Sequence, residues 1–177
     1  MLTGVCDRVV VAVPEGYEEG PDRVRGGASR SASVRAALAA APEAEVTVVH
    51  DAARPLVTAD LVVRCLDALA HGDADGVIAA AAVTDTIKEA DEAGRVVRTL
   101  DRSVLWAVQT PQVFRAASLR RALDVDDRRL SAATDDASLV EAAGGTIGVV
   151  SAPSENLKVT TPTDLALAET LLAARGS

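Results

Sequence analysis

Short β-branched runs alternate with helix-spaced apolar residues along the whole chain, and this alternation constrains the fold more than any other feature. A chain so ordered folds as an α/β layered domain, with a mainly parallel sheet flanked by helices. Residues 8–13 form a buried strand ended by Pro14, and residues 45–50 a second one that stops at Asp51. Residues 76–80 and 146–150 are the third and fourth strands. Between them, Val34, Leu38 and Ala41 mark one face of a helix that begins near Ser31. Leu61, Val62, Cys65, Leu66 and Leu69 recur at helical spacing behind Thr58, an N-cap. Residues 136–143 make a short helix closed by Gly144 and Gly145, because glycine accepts the left-handed conformation at a helix end. Thr161 caps the last helix, Pro162 takes its first position, and Leu165, Ala168, Leu171 and Leu172 give its buried face.

One segment interrupts the pattern. Residues 86–88 and 96–98 are two β-like runs joined through Asp91, Glu92, Ala93 and Gly94, an antiparallel hairpin with a loop longer than two residues. A lone hairpin is seldom stable in water, so residues 84–104 are expected to form an arm packed on something else, a second subunit above all. The 177 residues suit one domain with a single core.

Charge and cysteine usage narrow the chemistry. A net charge of −8 argues against an extended nucleic-acid surface. It does not exclude an anionic small molecule, which a few convergent basic side chains can hold inside an acidic protein. Cys6 and Cys65 share no metal-ligand spacing and read as reduced thiols, and His50 and His71 cannot build a zinc site with them on any familiar spacing. No apolar run reaches the ~18 residues of a membrane span, and the N-terminus carries no secretory pattern. A cytoplasmic location is the expectation.

His50-Asp51-Ala52-Ala53-Arg54-Pro55 directly follows a strand, and ligands of open α/β sheets bind beyond the carboxyl ends of strands. Asp51 there can hold Mg²⁺ or a ribose hydroxyl, and Arg54 can hold phosphate oxygens; a turn-forming Asp beside a surface Arg is the equally weighted alternative. Gly26 and Gly27 lead a loop into a helix through Ser33, a place for an anion or a base edge, although an ordinary cap explains it too. Thr134-Asp135-Asp136-Ala137-Ser138 has the form of a helix cap. Lys158, alone in the apolar strand of residues 156–160, must either reach solvent or meet an anion. Arg102, just after the hairpin, is in isolation a surface charge.

In sequence order, Gly-Gly-x-x-Arg-x-x-Ser-Val (26–34), Val-His-Asp-Ala-Ala-Arg-Pro (49–55), Asp-Thr-Ile-Lys (85–88), Gln-Thr-Pro-Gln (109–112), Thr-Asp-Asp-Ala-Ser (134–138) and Asn-x-Lys-Val-Thr (156–160) resemble the 2-C-methyl-D-erythritol 4-phosphate cytidylyltransferase family. The resemblance runs from Val9 to Leu172. It implies a Rossmann-like nucleotidyltransferase that joins CTP to a sugar-alcohol phosphate with Mg²⁺ and releases pyrophosphate, in non-mevalonate isoprenoid synthesis. Carried onto matching positions, Gly26, Gly27 and Ser33 would meet cytosine, Ala52 would lie near the nucleotide, and Asp51 at the metal or ribose side. Lys158 would contact phosphate. Thr86 and Arg102 would grip the sugar phosphate in a partner's site across a homodimer built on the arm, and Arg54, Thr110 and Thr134 would line the same pocket.

Members of that family place a strand and a glycine-rich triphosphate loop with an Arg and a Lys ahead of the segment that opens this chain. The sequence shows no such loop, and Gly16 and Gly20 follow the first strand, in the wrong place to replace it. Impaired turnover is the resulting expectation. Two alternatives stand beside it: a cytidylyltransferase for ribitol 5-phosphate, and an inert dimerising or ligand-binding remnant.

Overall fold

A computed structural model describes residues 2–175. Its main sheet has four strands, β3 (Val46–Val49), β4 (Gly76–Ala82), β7 (Trp106–Arg115) and β8 (Ile147–Ser151), in the spatial order β3-β7-β4-β8. β4 pairs parallel with β8, whereas β7 runs antiparallel to both β3 and β4. Three of the four strands therefore share one direction, but β7 is inserted antiparallel between β3 and β4, so two of the three pairings are antiparallel and the sheet is mixed. Two further pairs stand apart: β1 (Val11–Val13) lies parallel to β2 (Arg23–Arg25), and β5 (Lys88–Ala90) antiparallel to β6 (Val96–Thr99).

Helices cover both faces of the main sheet, and strand alternation decides what each meets. On one face Val77, Ala79 and Val113 pack against Leu61, Val62, Cys65 and Leu69 of α2 (Ala59–His71). On the other, Ile78 and Phe114 meet Leu38 of α1 (Arg30–Ala39), Leu119 and Leu123 of α3 (Ala116–Leu123), Leu130 of α4 (Asp127–Ala132) and Val140 of α5 (Asp136–Ala142). Each fully buried Leu or Val contributes roughly 1.5–3 kcal/mol relative to an exposed one. Side-chain oxygens close the helix starts: Ser29 accepts from Ala32 N, Thr58 from Leu61 N, Asp126 from Arg129 N and Asp135 from Ser138 N.

The structure departs from sequence expectation in several places. The first strand is shorter than residues 8–13 and not buried, with Val11 45% exposed. The arm's first strand begins at Lys88, so Thr86 and Ile87 precede it. Residues 156–160 are irregular rather than a strand, tied down where Val159 N donates to Ala53 O at 2.7 Å. The last helix, α6 (Pro162–Arg175), starts at the expected Pro162, but Leu165 and Leu172 are exposed and Ala168 alone is buried in it among the described residues. Its apolar spacing was legible; what covers a stripe is not written in the stripe. β7, α3 and α4 add to the expected elements.

β7 is also the strand that breaks the sheet's regularity. Ala80 pairs with Val108 and Ile78 with Gln112, so residues 109–111 stand opposite Ala79 alone. This bulge holds Pro111, which has no N–H to give a ladder, and the Thr110–Pro111 peptide is cis. At the far end of the same pairing, Gly76 faces Phe114, and a Cβ on Gly76 would lie 2.4 Å from the Phe114 ring.

Candidate functional site

The C-terminal end of β3, the β7 bulge, the start of α5 and the irregular segment at 156–160 converge on one cleft of ≈ 430 Å³. Asp51, Arg54, Thr110, Thr134 and Lys158 all line it, although they lie far apart in sequence. Asp51 is the centre. Its Oδ2 accepts from Lys158 Nζ at 2.9 Å and its Oδ1 from Arg30 Nε at 3.0 Å. Burial alone would push this carboxyl up, but the hydrogen bonds from Lys158 and Arg30 outweigh it and hold Asp51 below the usual carboxylate range.

A second tier of hydrogen bonds fixes the backbone under Asp51. Asp51 N donates to Thr110 Oγ1 at 3.1 Å, and the same hydroxyl lies 3.0 Å from His50 Nδ1. Thr110 therefore accepts from the amide and gives its proton to His50, whose Nε2–H then points to Arg54 O at 3.1 Å. Burial pushes His50 below its ordinary value, which favours the neutral ring that this arrangement needs. Arg54 Nη1 donates to Asn156 O at 2.7 Å, and Asn156 Nδ2 donates to Gln109 Oε1 at 2.8 Å and Thr110 O at 2.9 Å. Asn156 is 1% exposed, so it ties the β7 bulge to the loop that carries Lys158.

Arg54 Nε is buried without a hydrogen-bond partner in the protein. A guanidinium so placed, beside Lys158 and Arg30, suits an oxyanion entering the cleft. On the opposite wall Gln112 Nε2 donates to Asp135 Oδ2 at 2.8 Å, with Ser138 and Glu141 alongside. This wall offers acceptors, the complement of a hydroxyl-rich ligand.

The other sequence candidates do not line this cleft. Gly26, Gly27 and Ser33 form a compact start to α1, where Ser33 Oγ accepts from Gly27 N at 3.1 Å and donates to Ser29 O at 2.9 Å. Gly27 borders a second hollow of ≈ 370 Å³ instead. Ala52 is exposed in the turn after Asp51. Thr86 and Arg102 lie at the base of the arm, where Arg102 Nη1 donates to Thr84 O. Lys158 meets a carboxylate of its own chain, so the anion that its apolar setting called for is Asp51.

Sequence reasoning missed Arg30, His50, Gln109, Gln112, Asp135, Asp136 and Asn156 as site residues. All stand inside or beside the quoted motifs. A motif names the positions that matter without saying which of them face the cleft, and only the fold does that. Among the described residues no group of three or more His, Cys, Asp or Glu side chains could enclose a metal ion. Nor is any described helix long and apolar enough to cross a membrane.

Comparison with known proteins agrees with this architecture. A model of the 2-C-methyl-D-erythritol 4-phosphate cytidylyltransferase family matches residues 3–174. The enzyme of that name from Rubrobacter xylanophilus is 49% identical over 153 residues, 85% of this chain and 65% of the relative. That from Nocardia farcinica is 45% identical over 187 residues, 100% of this chain and 79% of the relative. The chain thus spans about two-thirds to four-fifths of the length of these relatives. Among solved structures, the crystal structure of the Thermus thermophilus cytidylyltransferase superposes with a TM-score of 0.78 at 38% identity, covering 92% of this chain and 80% of that one. The family match over residues 3–174, with relatives 45% and 49% identical and a shared fold, places the chain in the 2-C-methyl-D-erythritol 4-phosphate cytidylyltransferase family.

Proposed function

We propose that the chain serves the transfer of CMP from CTP to 2-C-methyl-D-erythritol 4-phosphate, with release of pyrophosphate. The observation that carries this reading is the convergence of Arg54, Lys158 and Arg30 around Asp51 in one cleft, in a member of this family. The reaction forms one bond, from a phosphate oxygen of the acceptor to the α-phosphorus of CTP, and breaks the bond from that phosphorus to the pyrophosphate oxygen. It needs no covalent nucleophile from the protein; it needs alignment and neutralised charge.

The residues have distinct parts. Arg54, with its unpartnered Nε, binds phosphate oxygens of the acceptor, and Lys158 binds the phosphate at the reacting end. Thr110 and Thr134, with the Gln112–Asp135 wall, orient the acceptor's hydroxyls. Gly26, Gly27, Ser33 and Ala52 serve the nucleotide side. The residues present fit Mg²⁺ only as an ion that arrives with phosphate, since among the described residues no group of three or more His, Cys, Asp or Glu side chains gathers to enclose an ion with Asp51. Mg²⁺ favours such sites, keeping most of its ligands as water and phosphate oxygens. When bound, it neutralises charge on the departing pyrophosphate.

The arm supports a homodimer in which Thr86 and Arg102 reach the partner's cleft. Val96 and Val97 on β6 are 62% and 61% exposed, and Val104 at the arm's base 70%, an apolar surface that a second subunit would cover. In this proposal residues 1–177 act as one nucleotidyltransferase unit with residues 84–104 as its arm, in the cytoplasm.

The test is pyrophosphate release from CTP, Mg²⁺ and methylerythritol phosphate by wild type and Lys158→Ala. Wild type should turn over slowly, in keeping with the impaired turnover expected from the sequence, and the variant should lose a further factor of about 10²–10³, the value of one charge-stabilising donor. A parallel assay with ribitol 5-phosphate fixes the acceptor. Absence of CTP-dependent pyrophosphate release in the wild type would overturn the proposal.

A further inference from the structure

Arg30 occupies an unfavourable place by local rules. It is the first residue of α1, where the helix dipole favours anions and disfavours a cation. Two carboxylates from distant parts of the chain compensate for this. Arg30 Nε reaches Asp51 Oδ1 at 3.0 Å and Arg30 Nη1 reaches Asp136 Oδ2 at 2.5 Å, across 21 and 106 residues of sequence. The Asp136 side chain is 0% exposed and its Oδ1 has no partner in the protein, so Arg30 is its principal source of countercharge. Burial pushes the Asp136 carboxyl up and Arg30 draws it partly back. Sequence choices that violate local preference are expected at functional positions.

The geometry is directional. A guanidinium presents separate edges in a fixed plane, and here one edge is held by Asp136 at the start of α5 while another holds Asp51 at the end of β3. With Oδ1 engaged from behind, Asp51 turns Oδ2 toward Lys158 and the cleft. Three cations face Asp51, and they differ in kind. Arg30 is anchored by a buried carboxylate, Lys158 is 43% exposed at the end of a flexible stem, and Arg54 acts on Asp51 through its charge. A divalent cation arriving with nucleotide would therefore meet Oδ2, with Lys158 free to turn to phosphate while Arg30 keeps Oδ1 in place.

We infer that Arg30, locked by the buried Asp136, is a positioning residue that holds Asp51 with one carboxylate oxygen reserved for exchange between Lys158 and the cation arriving with nucleotide. This rests on reading Asp51 as the carboxylate that serves that cation. A neutral or compact replacement leaves Asp51 free to rotate and pair wholly with Lys158.

The experiment compares crystal structures of the free chain in wild type, Arg30→Gln and Arg30→Lys, and needs no substrate. In wild type Asp51 Oδ1 should face Arg30 and Oδ2 Lys158. In Arg30→Gln the Asp51 carboxylate should rotate so that both oxygens turn to Lys158. In Arg30→Lys it should also rotate, since one nitrogen cannot sit where Nε and Nη1 each sit, and the contact to either Asp51 or Asp136 is lost. That charge-conserving variant serves as the folded comparator should the Gln variant not fold. With CTP and acceptor present, both variants should lower kcat about 100-fold while the acceptor's KM stays within about threefold, the mark of misalignment rather than lost binding. An Asp51 carboxylate unmoved in both variants, or an Arg30→Lys variant equal to wild type in Asp51 orientation and kcat, overturns the inference. A wild type without turnover sinks the cytidylyl-transfer reading instead, and the Asp51 orientation then decides the role of Arg30 alone.

Discussion

Gly76→Ala and Gly148→Ala place the same methyl group on adjacent paired strands, and the structure assigns them opposite effects. Neither glycine has a positive φ, so backbone strain is not at issue. A Cβ at Gly76 would lie 2.4 Å from Phe114 Cδ1, 2.8 Å from Cε1 and 3.0 Å from Ile147 Cδ1. Phe114 is 0% exposed within the cluster that holds α1, α3 and α5 to the sheet, so its ring has nowhere to withdraw. Overpacking of this kind costs ~1–3 kcal/mol. Removing a glycine from the unfolded chain gives back ~0.4–1 kcal/mol at any site that accepts the methyl. The net expectation for Gly76→Ala is a loss of about 1–2 kcal/mol. At Gly148 the nearest atom to a new Cβ is Val77 Cγ2 at 3.5 Å, an ordinary contact, so that variant should gain the unfolded-state term and lose nothing. Urea unfolding followed by circular dichroism separates them. With slopes of ~1–3 kcal/mol/M, the two midpoints should differ by about 1 M, Gly76→Ala below wild type and Gly148→Ala at or above it. Equal midpoints would refute the claim that the Gly76–Phe114 approach is tight, and with it the packing account of this end of the sheet.

Three further outcomes are expected. Asp164 Oδ2 accepts from Thr160 N, Thr160 Oγ1 and Thr161 N, which hold its pKa at about 2 against an ordinary 3.8. A depressed carboxyl stabilises above its unfolded pKa and loses that contribution as pH falls through the folded one, so the protection factors of the Thr160 and Thr161 amides, with the intrinsic exchange rate divided out, should fall between about pH 4 and about pH 2 in wild type. In Asp164→Ala both protection factors should already be lost at about pH 5. Val97→Asp on the arm should shift sedimentation from dimer to monomer with the circular dichroism unchanged; a wild type that is monomeric at every concentration would remove the arm from the assembly. Cys65, 0% exposed and pushed up to about 11 by burial, should resist iodoacetamide at pH 8 in the folded chain, with Cys6 labelled first by mass spectrometry.

The layered fold could be read from the sequence because its strongest signals are local. Leu61, Val62, Cys65 and Leu69 repeat at helical spacing behind Thr58, and in the structure they form the buried face of α2 with Thr58 as its cap. β7 escaped because its central residues, Gln109 to Gln112, include a proline and three polar side chains, a composition that argues against a central strand. The bulge accommodates the proline, and burial against both faces makes the polar residues part of the site. At the cleft, Asp51, Arg54 and Lys158 were legible as charges that needed partners. Arg30, which pairs with Asp51, Asn156, whose carbonyl accepts from Arg54, and Asp136, which anchors Arg30, come from segments whose approach depends on tertiary packing. The exposure of Leu165 and Leu172 illustrates the same limit from the other side: periodicity identifies an apolar stripe and says nothing of what meets it.

The bulge in β7 sets the sheet's regularity against the cleft's chemistry. Drawing residues 109–111 back into register with β4 would require shortening the strand, and the shortened strand would no longer present Gln109 and Thr110 together where Asn156 and the Asp51 amide meet them. A redesign that scored only ladder hydrogen bonds would favour the deletion. Such a protein would be a better sheet around an empty recess, so the number of residues between Val108 and Gln112 answers to the cleft rather than to the ladder.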